Sequence, residues 1–279
     1  MANDPLCSFA LWFSLLVANE LEEARLLGHQ SRETSWTDKM LLELKKLRDP
    51  RIVAATSNER VTGGDMDWWF VGPQAAFCLT VQAKVLHYRQ HNPALWHYED
   101  IAHPSNNPGL QSRTLVAHAR RSSRAGTPRY PYYLFYNPSS VPAVPHSTWT
   151  PALNGVTVAD GYVIANHIAA HVVPRGPFPI TEKRYAAVSP MAVTLHDLLC
   201  TGSTGIPTPE DIVYRIDAIW RWLRAADSFP RDYRRLRPAT TQIVPREITR
   251  MIEARGRPDA FDDRDYGLSR DTVVFLSDE

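Results

Sequence analysis

The residues best suited to chemistry lie between Asn58 and Lys84. Asn58-Glu59-Arg60-Val61-Thr62-Gly63-Gly64-Asp65-Met66-Asp67 is followed, beyond a Gly72-Pro73-Gln74 break, by Thr80-Val81-Gln82-Ala83-Lys84. Strand alternation puts Gln82 and Lys84 on one face and Leu79, Val81, Ala83 and Val85 on the other. The second face is wholly apolar and reads as the core side, so an amide and an ammonium are held together on the opposite one. A hairpin turning at Pro73-Gln74 sets Asp65 opposite Gln82, to within about two residues, with Asp67 on the same face. Carboxylates, an amide oxygen and an ammonium on adjacent strands suit hydrolysis of a phosphodiester. Hard oxygen ligands hold Mg²⁺ (or Mn²⁺), which lowers the pKa of a bound water and offsets charge on the phosphate. A neighbouring lysine orients the water or neutralises the transition state. A further carboxylate from a nearby helix would complete the site. Glu33, ahead of a helix cap, and Glu59, ahead of the glycine turn, are the candidates.

The elements that must position these groups follow from periodicity and end signals. Leu6 to Val17 runs on into an acidic stretch, so residues 6–29 read as one partly buried helix ending at Gly28. It lacks the basic flank and A-x-A site of a signal peptide, and its apolar part is too short for a bilayer. Thr37 is a natural N-cap for a helix from Asp38 to the Asp49-Pro50 stop, with Met40, Leu41, Leu44 and Leu47 as its core face. Glu43 in mid-helix, beside Lys39 and Lys46, reads as a surface charge. Strands are predicted at 52–55, 65–71, 76–86, 130–137 and 155–160, and helices at 110–121 and 160–173. A helix capped by Thr208, with Pro209 at its first position, runs to about Ala226. Thr272 to Leu276 is an edge strand or a disordered tail. The expected organisation is an α/β fold: an N-terminal helix (1–32) packing on a core (33–140), an α/β extension of the same domain, mostly helical (141–245), and a C-terminal tail (246–279).

Gly63-Gly64-Asp65, a strand, and then Gln82-Ala83-Lys84 on the next strand resembles the PD-(D/E)XK nuclease superfamily, whose fold is restriction-endonuclease-like, a central mixed sheet flanked by helices. The nearest likeness is to the D…QxK branch that includes Mrr-type restriction enzymes. The wider pattern, from Glu33-Thr34-Ser35-Trp36-Thr37-Asp38 through Glu59, Gly64-Asp65 and Gln82-Ala83-Lys84 to Tyr132-Tyr133-Leu134-Phe135-Tyr136-Asn137, looks like an uncharacterised bacterial family near those nucleases. The likeness covers roughly residues 30–140. It implies that Asp65 is the metal-bridging aspartate, that Lys84 is the catalytic lysine, and that Glu33 or Glu59 is the helix-associated acid. Gln82 stands where the superfamily usually has Glu or Asp, a departure that removes one negative charge. Asp67 could supply it. The implied protein is a cytoplasmic, Mg²⁺-dependent endonuclease acting on DNA ahead of RNA, in defence against phage or mobile DNA, and compatible with a homodimer. The alternative is the same fold kept as a nucleic-acid or protein-binding module of weak or absent catalysis, and Gln82 is its hint. A third reading is an unrelated α/β hydrolase built on a histidine cluster.

Composition and the remaining motifs narrow the field. With 31 basic and 30 acidic side chains the net charge is +1, so binding of an anionic partner must come from local patches. Arg113, Arg120, Arg121, Arg124 and Arg129 form one such patch, uninterrupted by acid and able to track a phosphate backbone, with Gln111 near the helix start to orient a site group. Arg231, Arg234, Arg235 and Arg237 form a second, tempered by Asp232. Trp68 and Trp69 point to opposite faces, one as core, the other open to base stacking. Cys7, Cys78 and Cys200 are odd in number and never paired as CxxC, which fits a reducing cytosol and predicts no disulfide framework. His167 and His171 sit at i, i+4 on a predicted helix, but zinc needs three or four ligands and no HExxH or Cys pair accompanies them. There is no GxSxG, no GxGxxG and no P-loop, since Gly202-Ser203-Thr204-Gly205 lacks the lysine.

Overall fold

The computed structural model describes residues 4–56, 66–88, 92–102, 110–145, 151–172, 177–202, 205–230, 233, 235–255, 268 and 270–278. The first helix, α1 (Pro5–Leu26), starts at an Asp4 N-cap whose carboxylate accepts from the Leu6 and Cys7 N–H groups at 2.9 and 3.1 Å. Leu6, Phe9, Phe13, Val17 and Leu21, at helical spacing, are buried. Gly28, just past its end, has a φ of +69°, open to glycine at little cost. The next helix, α2 (Glu33–Lys46), begins one turn before the predicted start. Thr37 is therefore not its cap: inside the helix, its hydroxyl donates to the Glu33 carbonyl at 3.2 Å. The earlier start buries Trp36 and Thr37 and puts Glu33 in the first turn, where the helix dipole favours an anion.

Seven strands follow: β1 (Ile52–Ala55), β2 (Met66–Val71), β3 (Ala76–Val85), β4 (Arg129–Tyr136), β5 (Val156–Asp160), β6 (Ala192–Thr194) and β7 (Asp271–Leu276). Between and beyond them run α3 (Leu110–Arg124), α4 (Gly161–His171), the short α5 (Ile180–Lys183), α6 (Tyr185–Val188) and α7 (Leu195–Leu199), then α8 (Pro209–Ala225) and α9 (Arg246–Ala254). They form one mixed sheet in the order β1-β7-β2-β3-β4-β5-β6. The β2–β3 hairpin is antiparallel with Met66 opposite Val81, the register predicted from the sequence. The β3–β4 pair is parallel, as a crossover through α3 requires.

Two expectations about the sheet are overturned. The segment 272–276 is neither edge strand nor tail, because β7 lies inside the sheet, parallel to β2 and antiparallel to β1. Its alternate residues feed two cores: Val273 and Phe275 join the large one, Val274 and Leu276 a smaller one under α9. Nor is the Gln82–Lys84 face of β3 an outer face, since all ten residues of β3 are buried. Leu79, Val81 and Ala83 belong to the large core, while on the opposite face of the sheet Cys78 of β3 and Trp69 of β2 lie in the smaller core with Ile248 and Met251 of α9. Both Trp68 and Trp69 are thus core residues, and neither offers a ring to a base.

The cysteines also depart from expectation. Cys7 and Cys200 form a disulfide joining the start of α1 to the end of α7. Only tertiary packing brings together residues 193 positions apart in sequence. Cys78 is buried, and its surroundings together with the nearby Asp67 charge push its thiol well above the usual range, leaving it unreactive. No described helix is long and apolar enough to cross a membrane.

Candidate functional site

The first turn of α2 and the last residues of β3 meet at a lysine–carboxylate pair. Lys84 Nζ donates to both oxygens of Glu33 at 3.2 Å. The lysine side chain is 2% exposed and that of Glu33 27%, so the pair is largely buried, with the carboxylate reaching solvent, and is not a surface hairpin ion pair. Gln82 is fully buried on the same strand face. Across β4 the register sets Tyr133 beside Gln82 and Phe135 beside Lys84. The aromatic run of β4 is what makes burial possible, because large rings on the neighbouring strand exclude water from an otherwise polar row. An ammonium in such a place must have a partner: breaking a buried pair by removing one member costs about 3–5 kcal/mol. Glu33 supplies it from the positive end of a helix, which also stabilises the carboxylate.

Asp67, on β2 opposite Thr80 and so on the same face of the sheet, is held differently. Its Oδ1 accepts from the Thr80 hydroxyl at 2.8 Å and from Arg270 Nη1 at 3.0 Å, and its Oδ2 is bound by Arg129 Nη1. Burial alone would raise this carboxyl, but Arg129 and Arg270 outweigh it and hold it below the usual range. The expectation of Asp67 as a spare metal ligand is therefore corrected, since both oxygens are committed to structural partners. Arg129 is likewise not part of an open basic patch. It lies against Asp67 with its guanidinium over the Trp69 ring, 5.5 Å from the centroid. His118 on α3 faces this centre. Burial lowers its pKa to about 4, with Arg270 and Arg129 adding to the effect and Asp67 opposing it. Arg270 and His118 were not singled out from the sequence. Arg270 comes from just before β7, a segment the sequence reads as an edge strand or a tail rather than an inner strand, and His118 is one polar residue among many on α3.

The remaining expectations divide. Asp65 and Glu59 lie outside the described residues. Glu33 and Lys84 are paired, and Gln82 lies two residues before Lys84 on the same strand face. Arg113, Arg120, Arg121 and Arg124 are exposed along one stripe of α3, whose Ser112, Leu115, Val116 and Ala119 face inward. Arg120 lies over the Tyr162 ring at 5.8 Å from its centroid. Gln111 is half-buried, and its Oε1 has no hydrogen-bond partner among the described residues. Of the second arginine cluster, Arg235 is buried against Asp160, Asp217, the Tyr130 hydroxyl and the Trp220 ring, a structural tie between α8, β4 and β5.

The chain matches, over residues 6–279, the model of a family described as Family of unknown function (DUF6615). No curated protein and no solved structure matches it.

Proposed function

Since the chain belongs to the DUF6615 family, a family of unknown function, its chemistry has to be read from the site, and we propose that it is a metal-dependent nuclease of restriction-endonuclease-like fold. The observation that carries this reading is the buried Lys84, held by Glu33, whose carboxylate reaches solvent, and flanked by Gln82 on an inner strand. The antiparallel β2–β3 pair, followed by a helical crossover into a parallel β4, is the local architecture such a site needs. Glu33 and Gln82 offer only oxygen donors, which suits a hard divalent cation such as Mg²⁺ or Mn²⁺. When bound, that ion would lower the pKa of a water and offset charge on the phosphate.

The chain's own residues have definite tasks in this reading. Lys84 Nζ, freed from one Glu33 oxygen, holds the attacking water in line with the phosphorus. The water oxygen bonds to phosphorus, the bond to the leaving sugar oxygen breaks, the water's proton departs to solvent or to a phosphate oxygen, and the leaving oxygen takes up a proton from solvent. Glu33 keeps Lys84 oriented and adds an oxygen to the cation site. Gln82 contributes a neutral oxygen, so the site carries less negative charge than one with a carboxylate there. The α3 arginines Arg113, Arg120, Arg121 and Arg124 hold flanking phosphates, DNA being preferred to RNA, as in the cytoplasmic defence role that the family resemblance implies. A second reading, a nucleic-acid or protein-binding module without turnover, is favoured by the commitment of Asp67 to two arginines, which leaves the described site with few carboxylates.

Cleavage of plasmid DNA, single-stranded DNA and RNA with Mg²⁺, Mn²⁺ or EDTA separates the two readings. Wild type should cut in a metal-dependent way, and Lys84→Met, Glu33→Gln and Asp65→Asn should each lose about 10²–10³-fold. Circular dichroism should show these variants folded. Nucleic-acid binding without cutting by the wild type would favour the binding module, and cutting unaffected by all three substitutions would place the activity elsewhere.

A further inference from the structure

A second cluster of ligating side chains lies away from the Lys84 site, where α4 meets α5. His167 and His171 stand one turn apart on α4, with ring centroids 4.8 Å apart. Glu182 of α5 faces both: its Oε2 is 3.8 Å from His167 Nε2 and 3.6 Å from His171 Nε2. The sequence offered only the histidine pair. The fold adds a carboxylate from a different helix, and one ligand atom from each residue lies within 4.8 Å of the others.

The hydrogen bonds around the cluster prepare it for a cation. His171 Nδ1 is 2.8 Å from the His167 carbonyl. A carbonyl only accepts, so Nδ1 carries the proton, and in the neutral ring Nε2 is left with a lone pair. That lone pair and the carboxylate oxygen then face one another as two acceptors, an arrangement that repels unless a cation lies between them. Thr181 Oγ1 donates to Glu182 Oε1 at 3.3 Å, which leaves Oε2 turned towards the histidines. A histidine donating its other ring nitrogen to a carbonyl is the usual support behind a metal ligand. Bonds of 2.0–2.2 Å in tetrahedral geometry separate the ligand atoms by about 3.4 Å, so separations of 3.6 and 3.8 Å need only a small contraction. His167 Nε2 donates to the Glu182 carbonyl at 3.0 Å, so ligation requires its proton to move to Nδ1, exchanging that hydrogen bond for the metal. Lys183, the nearest cation in sequence, does not compensate Glu182, because its Nζ donates to the Glu99 carbonyl instead.

We infer that His167, His171 and Glu182 form a site for a divalent transition-metal ion, Zn²⁺ first, with three protein ligands and a fourth position open to solvent. The openness follows from His171, whose side chain is 40% exposed. Two imidazoles and one carboxylate select zinc, cobalt or nickel over Mg²⁺, which prefers an all-oxygen shell. The ion would clip α5, a four-residue helix, to α4. This site is independent of the nuclease reading and uses none of its residues.

Titration of the full chain with Zn²⁺ by calorimetry tests the inference, with Co²⁺ as a spectroscopic stand-in. The expected result is one Zn²⁺ per chain, visible d–d bands on Co²⁺ addition, and affinity reduced at least about tenfold in both His171→Ala and Glu182→Gln. Both positions are partly exposed, so these variants should keep the wild-type circular dichroism, and Lys84→Met should bind zinc like wild type. Absence of zinc binding by the wild-type chain would overturn the inference. So would binding unchanged in both variants, or binding seen only after reduction of the Cys7–Cys200 disulfide and lost in His196→Ala, which would move the ion to the separate Cys7, His196 and Cys200 cluster.

Discussion

At the scale of single residues, one face of the β2–β3 pair carries two solutions to the problem of a buried charge. Lys84 is matched by one carboxylate that keeps a view of solvent, which leaves the pair open to exchange for a substrate. Asp67 is matched by two guanidiniums and a hydroxyl, a closed arrangement suited to holding strands together. Burial, with the positive charge of Arg270 and Arg129 adding to it, explains His118: its imidazole stays neutral down to about pH 4. In the unfolded chain the same ring titrates near 6.5. Between these values the unfolded state binds the extra proton, so stability must fall as pH drops from about 6.5 towards about 4. The urea midpoint followed over that range should decline less steeply in His118→Gln than in the wild type. Parallel curves for the two proteins would assign the acid sensitivity to other groups.

At the scale of elements, the ends of helices are legible where the signal is local. Thr208 caps α8 with Pro209 behind it and Asp211 closing the capping box, and the residue types alone say so. The start of α2 was misjudged by a turn because burial of Trp36 and Thr37 outweighs a good capping residue. Close approach between elements leaves no mark in sequence except a glycine. Gly155 ends the turn Pro151–Gly155 on which α1 rests, and a Cβ there would lie 1.9 Å from the Ser14 carbonyl oxygen and 2.8 Å from the Ala18 nitrogen. Both are main-chain atoms that cannot swing aside. Gly155→Ala should therefore destabilise the protein by about 3 kcal/mol, the upper end of overpacking costs, read as a lower urea midpoint at unchanged slope. A midpoint within error of wild type would mean that α1 can lift from this turn without loss.

At the scale of the whole molecule, the chain closes on itself. Its last strand lies between its first two, so β1 reaches the rest of the sheet only through β7. The same segment delivers Arg270 to Asp67 and completes the smaller core under α9. A chain ending after Arg255 should lose cooperative unfolding and precipitate on expression, because it would expose the hydrogen-bonding edge of β2, leave β1 without its partner and leave the Asp67 centre short of one cation. A soluble truncated chain with wild-type circular dichroism and a sharp thermal transition would show that the sheet is complete without β7.

The sequence by itself determined what local physics governs. Period-2 and period-3.6 patterns gave β1 to β5, α1, α3, α4 and α8. The β2–β3 register and the shared face of Gln82 and Lys84 follow from alternation and a short turn. Tertiary structure alone decided which surfaces are covered and which distant groups meet. It buried both faces of β3, drew the final strand into the sheet and joined Cys7 to Cys200. It also divided the acids between tasks, giving Glu33 to Lys84, Asp67 to two arginines and Glu182 to a pair of histidines. Such pairings depend on packing between segments far apart along the chain, where no spacing rule reaches.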